Sequence, residues 1–217
     1  MKRIGLMLLV LATVSMACAF GGGGSDENVV LNNGILFQDD FSDVDSGWDR
    51  ASSENAVTDY QNGAYHIAIS ANNYGAWTNP YRAFGDVSVA VDTSLIGGSD
   101  DNAFGIICRY ADIDNFYIGM ISSDGYYGFS QRNEGDLEFL NMESMQFSDA
   151  IKLDGANNTL RMDCVGNTLT LYVNGQFLGE TFDSRLGSGD VGLYAKTFDV
   201  SSTEVQFDNF VVSEPGE

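Results

Sequence analysis

From about residue 56 to its end, this chain alternates apolar and polar residues in short runs separated by two-residue turns, a pattern that leaves little room for helices. In a strand successive side chains point to opposite faces, so such alternation describes strands with one buried side. The stretch 58–69 centres on Asn62-Gly63, the strongest short-range hairpin signal. Residues 87–92 alternate in the same way, and Gly97-Gly98-Ser99-Asp100-Asp101-Asn102 breaks them off. Residues 103–110, 115–122 and 126–132 read as a meander with Ser123-Asp124-Gly125 as one of its turns. Residues 157–164, 168–173 and 176–182 follow, divided by Gly166-Asn167 and Asn174-Gly175, and 190–195 and 203–212 close the series. One short helical turn is expected over 142–147. With 25 glycines and two prolines, the composition suits tight turns in a closely paired sheet. The expectation is an all-β sandwich with about a dozen strands, one domain over 29–213, and a tail at 214–217.

The N-terminus reads differently. Lys2 and Arg3 precede an apolar run of eleven residues, 4–14, and then Ser15-Met16-Ala17-Cys18-Ala19. That order describes a secretory signal peptide over 1–17. As a helix the run would rise only ~16 Å, too short for a hydrocarbon core of roughly 30 Å. Ser15-Met16-Ala17-Cys18 resembles the lipobox of bacterial lipoproteins, which implies lipidation of Cys18. The family usually has Leu where this chain has Ser15, and Ala17-Cys18-Ala19 also fits ordinary secretion. The segment 18–28, with Gly21-Gly22-Gly23-Gly24-Ser25, is a flexible spacer of the kind a tethered domain needs. The expected location is the outer face of a bacterial cell, lipid-anchored, with free secretion as the alternative.

Loss of the leader removes two of the ten Lys+Arg and none of the 31 Asp+Glu, leaving a net charge of about −23. Nucleic acid and anionic lipid headgroups repel such a surface, so membrane contact is expected only through the N-terminal lipid. Cations and neutral partners such as sugars remain open. With Cys18 assigned to lipid, Cys108 and Cys164 form an even pair in an oxidising compartment, each inside an expected strand. A cross-strand disulfide is the preferred reading; two buried free thiols are the alternative.

Three C-terminal stretches carry a resemblance: Leu171-Tyr172-Val173-Asn174-Gly175-Gln176, Gly189-Asp190-Val191-Gly192-Leu193-Tyr194 and Val205-Gln206-Phe207-Asp208-Asn209-Phe210-Val211-Val212. In this order they resemble the closing strands of the concanavalin A-like lectin/glucanase superfamily, including laminin-G-like and 3-keto-disaccharide hydrolase-type domains. Phe37-Gln38-Asp39-Asp40-Phe41 followed by Trp48 is similar to the first strand of such domains. The resemblance implies a jelly-roll β-sandwich of two antiparallel sheets; sugar binders, glycosidases and adhesion modules share it, and a fold does not choose among them.

Glu134-Gly135-Asp136-Leu137-Glu138 resembles the E-x-D-x-E signature of laminarinase-like glycosidases, which makes Glu134, Asp136 and Glu138 the catalytic candidates if the chain is an enzyme. Two carboxylates on one strand face can serve as nucleophile and acid at ~5–5.5 Å. Asn133-Glu134-Gly135-Asp136 reads as a hairpin turn, the preferred reading, which puts Glu134 at a loop tip, and Gly135 stands where the family motif carries a bulky apolar residue. The single histidine, His66, sits in an alternating strand and reads as a sheet-surface residue. Calcium is the cofactor to consider, with Asp40 near the first strand and Asp208 on the last as oxygen ligands; a solvated acidic edge accounts for the same residues. For a carbohydrate, Tyr74 and Trp77 offer aromatic faces, with Arg109, Tyr126 and Tyr127 on what is expected to be the same sheet face; each also serves as core or rim filling. The functional expectation is a non-catalytic module binding carbohydrate or another extracellular partner, against a glycoside or 3-keto-disaccharide hydrolase and a structural or adhesive surface protein.

Overall fold

The computed structural model describes residues 34–199 and 202–216, so the leader, Cys18 and the spacer lie outside the described residues. Within them seventeen strands form, every pairing antiparallel. One sheet has nine strands. Its order is β15 (Gln176–Phe182), β14 (Thr168–Val173), β13 (Asn158–Val165), β7 (Val87–Gly98), β17 (Thr203–Ser213), β4 (Ala64–Ile69), β3 (Ala56–Gln61) and β2 (Ala51–Ser52), with β1 (Ile35–Asp39) also on β17. The other sheet has eight, in the order β11 (Asp136–Phe139), β10 (Tyr126–Asn133), β9 (Asn115–Ile121), β8 (Asn102–Asp112), β16 (Gly189–Thr197) and β5 (Gly75–Thr78). Here β12 (Gln146–Phe147) adds to β10 and β6 (Ala83–Phe84) to β16.

The expected all-β sandwich is therefore present, and the surplus over a dozen strands comes from two- to five-residue pieces too short to show a period. The stretch 142–147 contains no helical turn, because Gln146 and Phe147 pair with Tyr127 and Tyr126 on β10. The expected break after 92 comes later: β7 runs on to Gly97 and Gly98, paired to Glu204 and Thr203, and ends there before Ser99. Three hairpins turn on residues whose φ is positive at both positions, Asn62-Gly63, Glu134-Gly135 and Asn174-Gly175. That is the type I′ geometry, whose twist matches the flanking strands.

The core is the space between the sheets, and alternation fills it. Val87, Val89 and Val91 of β7, Leu160, Met162 and Cys164 of β13, and Leu169, Leu171 and Val173 of β14 all point inward. Phe104, Ile106 and Cys108 of β8 and Val191, Leu193 and Ala195 of β16 meet them. On β17 the inward set changes phase from Phe207 to Phe210, because a register shift between Asp208 and Val211 inserts Asn209 at φ 52°. Cys108 and Cys164 are bonded, tying β8 of one sheet to β13 of the other across the core. At one end Phe41, Trp48, Tyr60, Tyr65 and Phe210 pack edge to face, and the Trp48 indole donates to Asp39.

Candidate concave binding face

Only one face of each sheet meets this core, yet the eight-stranded sheet is apolar on its other face too. Ala103, Ile107, Phe116, Ile118, Met120 and Tyr194 form a second buried cluster there, with Trp77, Tyr110, Phe139, Met145 and Phe198 partly buried around it. The curvature of the sheet explains their burial. Trp77 is on β5 and Arg132 on β10, four strand spacings apart, about 19 Å across a flat sheet. The Arg132 guanidinium carbon nevertheless lies 5.2 Å from the Trp77 ring centroid, and Phe116 of β9 lies 5.4 Å from the same side chain. Side chains from distant strands meet because the face is concave.

Along this trough two ends differ. At one, Trp77, Phe116 and Tyr110 form a run of rings with Arg132 over Trp77 and Asp114 3.6 Å from the guanidinium. At the other, a cavity of about 120 Å³ opens between β10, β11 and β16, with Met120, Phe139 and Phe198 as apolar walls. Tyr194, Lys196, Ser130 and Glu138 line it as well. Three observations single out this face. The Tyr194 hydroxyl is buried with no hydrogen-bond partner, and so is Arg132 Nε. Burial pushes the Tyr194 phenol up and the Lys196 ammonium down from their ordinary values. Buried polar groups are nearly always paired, so these two orphans on one concave face leave donors for water or a ligand to meet.

The residues singled out from the sequence distribute as follows. Trp77 and Tyr126 do share this face, but Tyr126 sits at the far end of β10, edge-on to Phe147. Tyr74 belongs to the opposite parity on its strand and packs against the main core. Tyr127 also turns to the core side and donates its hydroxyl to Gln146. Arg109 is buried at φ 53° in the bulge of β8, reaching Asp86 at 3.0 Å and the Leu186 carbonyl at 2.8 Å. It bridges the sheets instead of facing a ligand. The expectation that Arg109, Tyr126 and Tyr127 line one face is corrected by the pleat and by that bulge.

The carboxylate signature is split in the same way. Glu134 is at the hairpin tip, its backbone tied to Asn115; Asp136 opens β11 opposite Asn133; Glu138 stands opposite Gln131 and accepts from its amide. The turn removes Glu134 from the strand on which the three would share a face. Asp40 accepts from the Ser42 amide and hydroxyl, which hold its carboxyl below the usual range. Asp208 accepts from Asn209 and stands opposite Asp92. Asp40 and Asp208 line separate hollows that meet at Asn209, and among the described residues no three His, Cys, Asp or Glu gather as a metal group. His66 is more buried than expected, at 6% exposure, with Nδ1 3.2 Å from Glu204.

Three larger hollows lie elsewhere, one beside β1 and β17, one between Leu95, Asp124 and Leu153, and one along Asp92, Thr93 and Asp208. No described side chain lining the first two carries a buried unpartnered atom, and the third has one, the Thr93 hydroxyl, against two on the concave face. Tyr194, Lys196 and Arg132 were missed from the sequence. One signal was available for Lys196: a lysine inside a strand otherwise buried on both faces.

The described residues form a jelly-roll sandwich of two antiparallel sheets, the fold that the C-terminal stretches implied. No protein-family model matches the sequence, and no curated protein matches it either. Solved structures do. A carbohydrate-binding module, CBM66 from Bacillus subtilis, superposes with a TM-score of 0.61 at 15% identity, over 77% of this chain and 96% of that one. A Bacillus licheniformis β-glucanase gives 0.59 at 13% identity, over 83% and 98%. A Bacillus subtilis protein of unknown function with a galectin-like fold gives 0.60 at 12%, over 83% and 96%. At these identities the likeness is one of fold.

Proposed function

We propose that this chain is an exported, non-catalytic carbohydrate-binding module that holds its ligand along the concave face of the eight-stranded sheet. One observation carries the reading: Trp77 and Arg132 converge from opposite ends of the sheet beside two buried polar atoms without partners. An aromatic plane takes the apolar face of a sugar ring, and fixed donors take its hydroxyls. The fold shared with a carbohydrate-binding module supports it. Glycosidic cleavage needs two carboxyl groups flanking the bond, whereas the one acidic residue at the cavity, Glu138, has its carboxylate on the face of Gln131 and Tyr117, away from the concave side. Attachment through a lipid on Cys18 belongs to the same proposal, as does a calcium ion taken by Asp40 and Asp208 together.

A glycan array followed by calorimetry on the mature chain, with and without calcium, tests this. A Trp77→Ala variant is expected to lose at least tenfold in affinity, while Glu138→Gln leaves binding unchanged. Silence across the array removes the sugar-binding reading, and self-association without glycan then points to an adhesive role. Turnover of a β-glucan or 3-keto-disaccharide that vanishes in Glu138→Gln makes the chain a hydrolase instead. Mass analysis of the exported chain shows whether Cys18 carries lipid.

A further inference from the structure

The eight basic residues that follow the leader are spent mostly on pairing: Arg50, Arg109, Arg132, Arg161 and Arg185 each have an aspartate within 3.6 Å. Lys196 does not. No carboxylate among the described residues pairs with it, although it is half-buried and lines the concave cavity. Its ammonium stands 5.1 Å from the Phe198 ring centroid. An unpaired cation out of water is unfavourable, and burial does lower its proton affinity.

Beside it lies the Tyr194 hydroxyl. That oxygen is 2.9 Å from where a Cβ on Gly75 would stand, and Gly75 is the residue paired with Lys196 across β5 and β16. The orphaned hydroxyl therefore sits at the foot of the unpaired lysine. Both line one cavity of about 120 Å³. That is well below the ~300–1,000 Å³ of sites that engulf a whole small ligand, so it fits a substituent while the ring lies outside. Glu138 also lines the cavity, with Oε1 engaged by the Gln131 amide.

We propose that this cavity receives the carboxylate of an acidic sugar residue, such as a uronate, held by the Lys196 ammonium and the Tyr194 hydroxyl. The inference rests on the concave face being the glycan site and adds the class of glycan. Two donors, a phenol and an ammonium two residues apart on the same face of β16, match the two oxygens of a carboxylate, and a charged acceptor strengthens both bonds. The overall acidity of the chain opposes an anion at long range, but beyond about 8 Å that repulsion is screened at physiological salt.

The test compares, by calorimetry on the mature chain, a glucuronate tetrasaccharide, its carboxyl-reduced glucose counterpart and the same glucose chain 6-O-sulfated. The acid is expected to bind about tenfold tighter than the neutral form. Lys196→Met brings the two to parity with an unchanged or raised Tm, and Lys196→Arg keeps the preference. If Lys196→Met does not fold, Tyr194→Phe serves the same arm. Equal affinity for acid and neutral chains overturns the acidic assignment and leaves the sugar-binding reading standing. So does a preference that survives in the folded Lys196→Met variant. Tighter binding of the sulfate overturns the carboxylate. Failure of all three chains to bind removes both readings.

Discussion

Tyr194 shows how stability and function pull apart at a single atom. Its ring belongs to the apolar cluster under the concave face, while its hydroxyl has no partner and is fully buried. An unpaired buried hydroxyl costs about 1–3 kcal/mol, so removing it relieves the fold. Tyr194→Phe is expected to keep or raise the urea midpoint while weakening ligand binding about tenfold, or ~1.4 kcal/mol. A lower midpoint would mean that the hydroxyl is paired after all. Asp183 behaves in the opposite sense. Burial alone would raise its carboxyl, but donation from Arg185 and from the Tyr117 hydroxyl outweighs that and holds it down at about 2. A folded value below the unfolded ~3.9 contributes stability that is complete above about pH 4 and is lost as pH falls through 2. Urea midpoints of the natural chain and Asp183→Asn should therefore differ most at pH 6 and converge towards pH 2. A gap that stays constant with pH would sink this account.

At the scale of elements, what the sequence announced best was its turns. Asn62-Gly63 and Asn174-Gly175 are hairpins because the type I′ turn demands positive φ at both residues, and these pairs tolerate it. Glu134-Gly135 uses the same turn with a residue less suited to it, and that is why a signature resembling a catalytic strand resolves into a tip. Gly135→Ala, at φ 91°, should destabilise by about 1 kcal/mol, and Glu134→Asn should restore part of that. The lateral row Gly128, Met120, Gly105, Tyr194, Trp77 could not be read in this way. Its members lie on five strands, and Gly105 matters because a Cβ there would come 2.1 Å from the Gly119 carbonyl oxygen. Backbone in a paired ladder cannot step aside. Gly105→Ala is expected to break the β8–β9 pairing and lower stability by at least ~3 kcal/mol, seen as lost soluble yield or a collapsed Tm.

For the whole molecule, period-two alternation reveals which residues face inward, but curvature is set by how two sheets close on each other. Trp77 was found because it is a tryptophan; Arg132 and Tyr194 were not, since nothing local brings β10 to β5. The even pair of cysteines was legible, and its bond has a consequence at this scale. It links β8 to β13 over a sequence separation of 56, joining the sheet that carries the concave face to the one behind it. Closing a loop of that length removes unfolded-chain entropy equivalent to about 4 kcal/mol in the chain-entropy account, with typical measured values of 2–4. The net charge of −21 works against compactness by self-repulsion. A Cys108→Ala/Cys164→Ala double variant is therefore expected to lose about 2–4 kcal/mol in urea unfolding. Raising the salt from about 10 mM to 0.5 M should recover part of the loss, because screening shortens the reach of carboxylate repulsion to a few ångströms. If the variant is as stable as the natural chain at low salt, the two sheets are held by core packing alone, and the bond adds nothing that burial had not already fixed.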